Sequence, residues 1–219
     1  ATADYLVRNA ATLPRILSRH GYACLQTGKH WEGDYQVAGF THGMTRGRPA
    51  KRLGPVTGTR TQENGQWVAH GNGDAGLVIG RETMQPIYDF IATHAGKKPF
   101  FIWYAPSLPH QPHDSPQKYF DLYQNNPKVP EQYIPYYAAI SQFDDTVGDL
   151  VNYVEGKGLA ENTIFVFVVD NGWTPSTRRH KTMKNFFHHT NQSKRSPFED
   201  GLRTPILFRW DKQITPDRH

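Results

Sequence analysis

The sequence predicts an α/β fold: a mostly parallel sheet with helices on both faces. Three observations carry that expectation. PFFIWYA, from Pro99, and TIFVFVVD, from Thr163, are apolar runs without polar alternation, as in strands buried on both faces. Each follows a segment whose apolar residues step by three or four, the pattern of a helix with one buried side. Polar residues then gather directly after the strands, where open parallel sheets hold their ligands.

Taken in order, Leu13, Ile16 and Leu17 lie at helical spacing, so residues 9–20 read as a helix stopped at Gly21. YACLQTGK follows as a short strand ending at Gly28-Lys29. Residues 32–80 are rich in glycine and poor in periodic apolar residues, and they read as a long irregular insertion within a single domain spanning 1–219. RETMQPIYDFIATHAGKK is a helix with Met84, Ile87, Tyr88, Ile91 and Ala95 on one side, its Pro86 near the start where proline is tolerated. After the PFFIWYA strand, SLPHQPHDSP is a loop. Ile134, Tyr137, Ile140, Phe143, Val147, Leu150, Val151 and Val154 mark a long helix closed by Gly156 and Gly158. TIFVFVVD is the next buried strand and LRTPILFRW the last.

Composition narrows the field. With 37% apolar and 13% aromatic residues, the 219-residue chain is neither disordered nor fibrous. No stretch approaches the roughly 18 to 20 apolar residues of a membrane span. The opening ATADYLVRNA lacks the basic start and apolar core of a signal peptide. The single cysteine, Cys24, has no partner for an internal disulfide. The net charge of +5 is concentrated between Arg178 and Arg195, which hold six Lys or Arg, three His and no carboxylate. Three readings fit that run: nucleic-acid binding with Phe186 and Phe187 as stacking groups, a pocket for an anionic substrate, or a solvated loop.

Gly28-Lys29, Ser107 to His113 and Asp170-Asn171 all fall just beyond strand ends. Asp170 and Asn171 offer oxygen ligands only, which suits Ca²⁺ or Mg²⁺ better than zinc, although an Asp-Asn-Gly sequence is also a common turn. Lys29 and Lys194 are cations, and His110 and His113 are donors when protonated. A hard cation among Lys and His groups stabilises charge on a transferring phosphoryl or sulfuryl group.

Four segments, in order, resemble the sulfatases of the alkaline phosphatase superfamily. TLPRILSRHGYACLQTGKHWEG is similar to the family's segment ending in Gly-Lys-Trp-His, and PFFIWYAPSLPHQP to its strand followed by His-x-Pro. YYAAISQFDDTVGDLVNYVEGKGLAENTIFVFVVDNG resembles the long helix leading into Asp-Asn-Gly, and KRSPFEDGLRTPILFRW the lysine loop followed by Gly-x-Arg-x-Pro. The resemblance implies an alkaline-phosphatase-like core, incomplete at both ends, acting on a sulfated small molecule or carbohydrate. It implies a divalent cation, usually calcium, on Asp170 and Asn171. Lys29 and Lys194 would bind sulfate oxygens, and His110 would contact the sulfate or the leaving oxygen. His113 is a further substrate-binding candidate. Glu199 and Arg203 would be structural. Asp144 and Asp145 lie about 100° apart around a helix and cannot face one ligand together, so they read as helix surface or caps. Export to a periplasmic or secreted location follows from the resemblance only.

Two departures stand out. The family histidine lies two residues after the lysine, whereas this chain has Lys29-His30-Trp31. Either His30 takes that place from a shifted position, or His42 in FTHGMT replaces it, or the contact is missing. The formylglycine motif, Cys/Ser-x-Pro-x-Arg, does not occur: Cys24 is followed by Leu-Gln-Thr, and Ser107-Leu-Pro-His-Gln lacks the arginine. The expectation is therefore an internal portion of a longer sulfatase, with formylglycine expected upstream, or a sulfatase-like chain lacking its own nucleophile, and in either case a chain inactive alone. The alternatives are a phosphatase or phosphonate monoester hydrolase of the same superfamily, or a non-catalytic binder of anions or nucleic acid.

Overall fold

The computed structural model describes residues 2–30, 34–44, 60–63, 66–69, 78–110, 113–172, 192–194 and 196–217. The chain divides into two compact units, Ala1–Tyr153 and Val154–His219.

The first unit contains α1 (Thr2–Asn9), α2 (Leu13–Arg19), β1 (Ala23–Gly28), β2 (His42–Gly43), β3 (Arg60–Glu63), β4 (Gln66–Ala69), α3 (Gln85–His94), β5 (Phe100–Ala105) and α4 (Gln117–Asp121). It also contains most of α5 (Ile134–Gly156). A three-stranded parallel sheet in the order β2-β1-β5 organises it, with Ala23 opposite Phe100 and Gly28 opposite Ala105. All six residues of β1 are buried, as its central place requires. Its two polar members are satisfied: Gln26 donates from Nε2 to the Gly28 carbonyl at 3.0 Å, and Thr27 donates to the Trp103 carbonyl at 2.9 Å. α2 packs against β1, and α3 against β1 and β5. Cys24, Ala38 and Phe40 form one apolar cluster with Leu17, Tyr22 and Phe101. Ile87 and Ile91 of α3 are fully buried, each contributing about 1.5 to 3 kcal/mol of burial free energy.

Three expectations change here. Residues 9–20 are not one helix, because the chain leaves α1 at Asn9 and re-enters at Thr12, whose extended backbone (φ −69°, ψ 150°) caps α2 ahead of Pro14. Within 32–80, the described residues include regular structure: a 3₁₀ turn at Tyr35–Ala38, β2, and the antiparallel hairpin of β3 and β4. Polar stretches such as Arg60–Glu63 can pair through backbone groups alone, so hydrophobic periodicity does not reveal them. The third change concerns TIFVFVVD. Its strand, β6 (Phe165–Val168), pairs antiparallel with β7 (Ile206–Arg209), Phe165 opposite Arg209 and Val168 opposite Ile206. Val166 and Val168 are 50% and 57% exposed, while Phe165 and Phe167 are half-buried. An apolar run is compatible with either environment. The layers around it decide, and β7 is the only strand paired with β6 among the described residues.

The second unit is closed by polar ties at its surface. Arg209 of β7 bonds Glu155 at 2.6 Å and Asp211 at 2.8 Å, and the Trp210 indole donates to the Glu161 carbonyl at 2.8 Å. Its short helix α6 (Glu199–Leu202) precedes β7. Asp144 and Asp145 are exposed on α5, Asp145 lying 3.5 Å from Lys118, in keeping with their reading as helix surface.

Candidate functional site

In the first unit, the end of β1 meets the end of β5. Gly28 has φ +74°, a left-handed conformation that favours glycine, and a Cβ there would lie 2.0 Å from the Ala105 carbonyl oxygen. The Lys29 amide donates to that same oxygen at 2.6 Å, and the Trp103 indole donates to the Lys29 carbonyl at 3.5 Å. Lys29 is thereby fixed beside the exit of β5, from which the His110 loop departs. His30 is buried, its ring edge-on to Phe40 with 6.1 Å between centroids.

His110 and His113 sit in the loop after β5. The His110 amide donates to the Ser107 carbonyl at 2.8 Å, and the His110 carbonyl accepts from Arg81 at 3.2 Å. The His113 ring lies 3.2 Å, through Nε2, from the Pro109 carbonyl and 5.6 Å from the Tyr136 ring. Burial pulls the His113 pKa below the ordinary histidine value, only partly opposed by its backbone bond. His42 has a different setting. It pairs with Leu25 in the middle of β1, bonds the Thr41 hydroxyl at 2.8 Å through Nδ1, and packs against Phe90 and His94 of α3 at 5.3 and 5.1 Å. Burial, then the neighbouring His94 and Lys98, lower its pKa.

In the second unit, Asp170 is exposed and Asn171 half-buried, directly after β6. Gly172 completes the turn. Its amide donates to the Gly201 carbonyl at 3.0 Å, and a Cβ on it would lie 1.8 Å from the Asp200 carbonyl oxygen. Gly201 is as confined: a Cβ there would meet the Ser193 and Ser196 carbonyl oxygens at 2.6 Å. Two glycines thus press the Asp170-Asn171 turn, α6 and the Ser193–Ser196 segment together. The half-buried Lys194 lies in that last segment. The remainder of the Arg178–Arg195 run, apart from 192–194, lies outside the described residues. Glu199 and Arg203 form a 3.9 Å pair whose side chains are 83% and 85% exposed, so they contribute little to stability.

A carboxylate beside an amide oxygen is a donor set for a hard divalent cation. Among the described residues no group of three His, Cys, Asp or Glu converges on a metal site. The contacts of Arg81 to Asp114 and to the His110 carbonyl are invisible in the sequence, because 33 and 29 residues separate the partners.

A family profile described as Sulfatase matches residues 3–219. The chain belongs to the sulfatase family. It is 28% identical over 138 residues to an endo-4-O-sulfatase of Bacteroides thetaiotaomicron, covering 55% of this chain and 25% of that protein. It is 26% identical over 221 residues to the N-acetylgalactosamine-6-sulfatase of Mus musculus, covering 92% of this chain and 40% of that one. The structure of BT4656 in complex with its substrate D-glucosamine-2-N,6-O-disulfate superposes with a TM-score of 0.63 at 18% identity, over 94% of this chain and 56% of that one. The fold of this sulfatase chain is thus the alkaline-phosphatase-like α/β fold. The chain spans 40% of the length of the mouse relative it matches nearly end to end. No helix among the described residues is long and apolar enough to cross a membrane.

Proposed function

We propose that this sulfatase chain supplies part of an active centre that hydrolyses sulfate esters of a sulfated carbohydrate or small molecule. The observation that carries the reading is the glycine-locked turn that presents Asp170 and Asn171 beside the segment of Lys194. The sulfated sugars named for the relatives support the substrate class. Asp170 and Asn171 would hold a divalent cation, calcium or magnesium, which when bound draws charge from sulfate oxygens. The Lys29 and Lys194 ammonium groups hold the remaining sulfate oxygens, and the His110 ring gives a proton to the leaving alcohol oxygen. His30 or His42 takes the place of the family histidine, and His113 contacts the substrate. The Cys/Ser-x-Pro-x-Arg motif is absent from residues 1–219. In this reading the formylglycine comes from sequence outside them, and residues 1–219 are inactive alone.

The test compares 4-nitrophenyl sulfate with 4-nitrophenyl phosphate, using an enzyme that contains these residues and a formylglycine segment. Sulfate is expected to be turned over faster, with loss on chelation and recovery with calcium. Faster phosphate turnover moves the assignment to the phosphatase or phosphonate hydrolase alternative. Salt-sensitive nucleic-acid binding without any turnover would replace the enzyme by a binder.

A further inference from the structure

Arg81 lies in the turn 78–83 that precedes α3, and that turn is held firmly from behind. The Arg81 and Glu82 amides donate to the Val78 carbonyl at 3.1 and 2.9 Å, and Ile79 is fully buried. Gln142 of α5 donates to the Gly80 and Arg81 carbonyls at 3.4 and 3.2 Å. Gly80 (φ +73°) packs so tightly that a Cβ would lie 2.4 Å from the Tyr104 hydroxyl. From this base the Arg81 side chain, only 15% exposed, reaches the loop after β5 with both arms of its fork. Nη1 pairs with the Asp114 carboxylate, and Nη2 donates to the His110 carbonyl at 3.2 Å.

We propose that Arg81 is a positioning residue: paired with Asp114, it holds the loop carrying His110 and His113 in the geometry in which those rings meet the substrate. The proposal rests on the sulfatase reading of those histidines. The bonds already described in the loop, His110 amide to Ser107 and His113 ring to Pro109, join residues only three or four positions apart. Arg81 supplies a reference from a distant, rigid element. Arginine suits the task because its planar fork fixes two acceptors at a set separation, which a lysine ammonium does not. Asp114 is 55% exposed, so solvent screens part of the pair's contribution to stability.

Among the described residues, the groups around His113 are Arg81, His110, Asp114, the Pro109 carbonyl and the Tyr136 ring. Arg81→Gln, Arg81→Lys and Asp114→Asn are compared in the full chain by NMR titration of the histidine rings. Turnover of 4-nitrophenyl sulfate is measured for the same variants in the formylglycine-containing enzyme. Arg81→Gln is expected to raise the His113 pKa slightly, since the arginine charge adds to the larger effect of burial in holding it down, and to shift the His110 ring resonances. It should lower kcat about tenfold or more with KM within about twofold. Arg81→Lys should restore the His113 pKa but not kcat, because charge returns without the fork. If Arg81→Gln does not fold, Asp114→Asn serves instead, with kcat lowered about threefold or more. Unchanged ring resonances and kcat, with only thermal stability lost, overturn the proposal. Ring shifts as expected in an enzyme that hydrolyses no sulfate ester support the positioning and overturn the sulfatase reading.

Discussion

Gly28 approaches Ala105 so closely that a Cβ on it would lie 2.0 Å from the Ala105 carbonyl oxygen, while the next residue, Lys29, bonds that same oxygen through its amide. Gly28→Ala must therefore part the ends of β1 and β5. The expected loss is about 2 kcal/mol or more in urea unfolding, from a left-handed backbone and a backbone clash together. Gly158→Ala is the control. Its φ is +69° but nothing lies within 4 Å of the added carbon, so about 1 kcal/mol is expected. Equal losses at the two positions would show that β1 and β5 separate at no cost.

The turn at Gly172 makes a second case. Gly172→Ala would drive a methyl group into the Asp200 carbonyl and displace Asp170 and Asn171 from their place beside α6. In the formylglycine-containing enzyme, calcium affinity measured by calorimetry should fall at least about tenfold, the scale seen when groups that orient metal ligands are lost. Undiminished affinity would mean that the cation is held elsewhere.

Among the cations and histidines, Lys194→Ala should lower sulfate-ester turnover by about two orders of magnitude, the scale of losing one preorganised stabilising group. His110→Ala should cost more turnover than His113→Ala, because His110 lies closer to the end of β5. A larger loss at His113 reverses that assignment.

Stability should depend on pH through His42 and His113. Both have folded pKa values below the ordinary 6.5, so between the folded and unfolded values the unfolded chain binds more protons. Their contribution is complete above about pH 6.5 and is lost as pH falls through the folded values, so stability rises with pH across that window. Urea midpoints at pH 5.5 and 7.5 measure the slope. The double variant His42→Gln, His113→Gln should flatten it, and an unchanged slope would assign the dependence to other groups.

The parts legible in the sequence are those whose cause is local. The apolar run Phe100–Ala105, the three-to-four spacing from Ile134 to Val154 and the glycine at 158 depend on neighbours within a few residues, and they became β5, α5 and a positive-φ turn. The four motif segments likewise sufficed to place the chain among the sulfatases. Tertiary structure decided what joins distant residues. His42 meets His94 across 52 positions, Arg81 meets Asp114 across 33, and β6 pairs with β7 and leaves Val166 and Val168 exposed. Such contacts arise where separate elements pack. The free energy of a side chain there depends on which surface arrives opposite it, a quantity that no local pattern of apolar and polar residues contains.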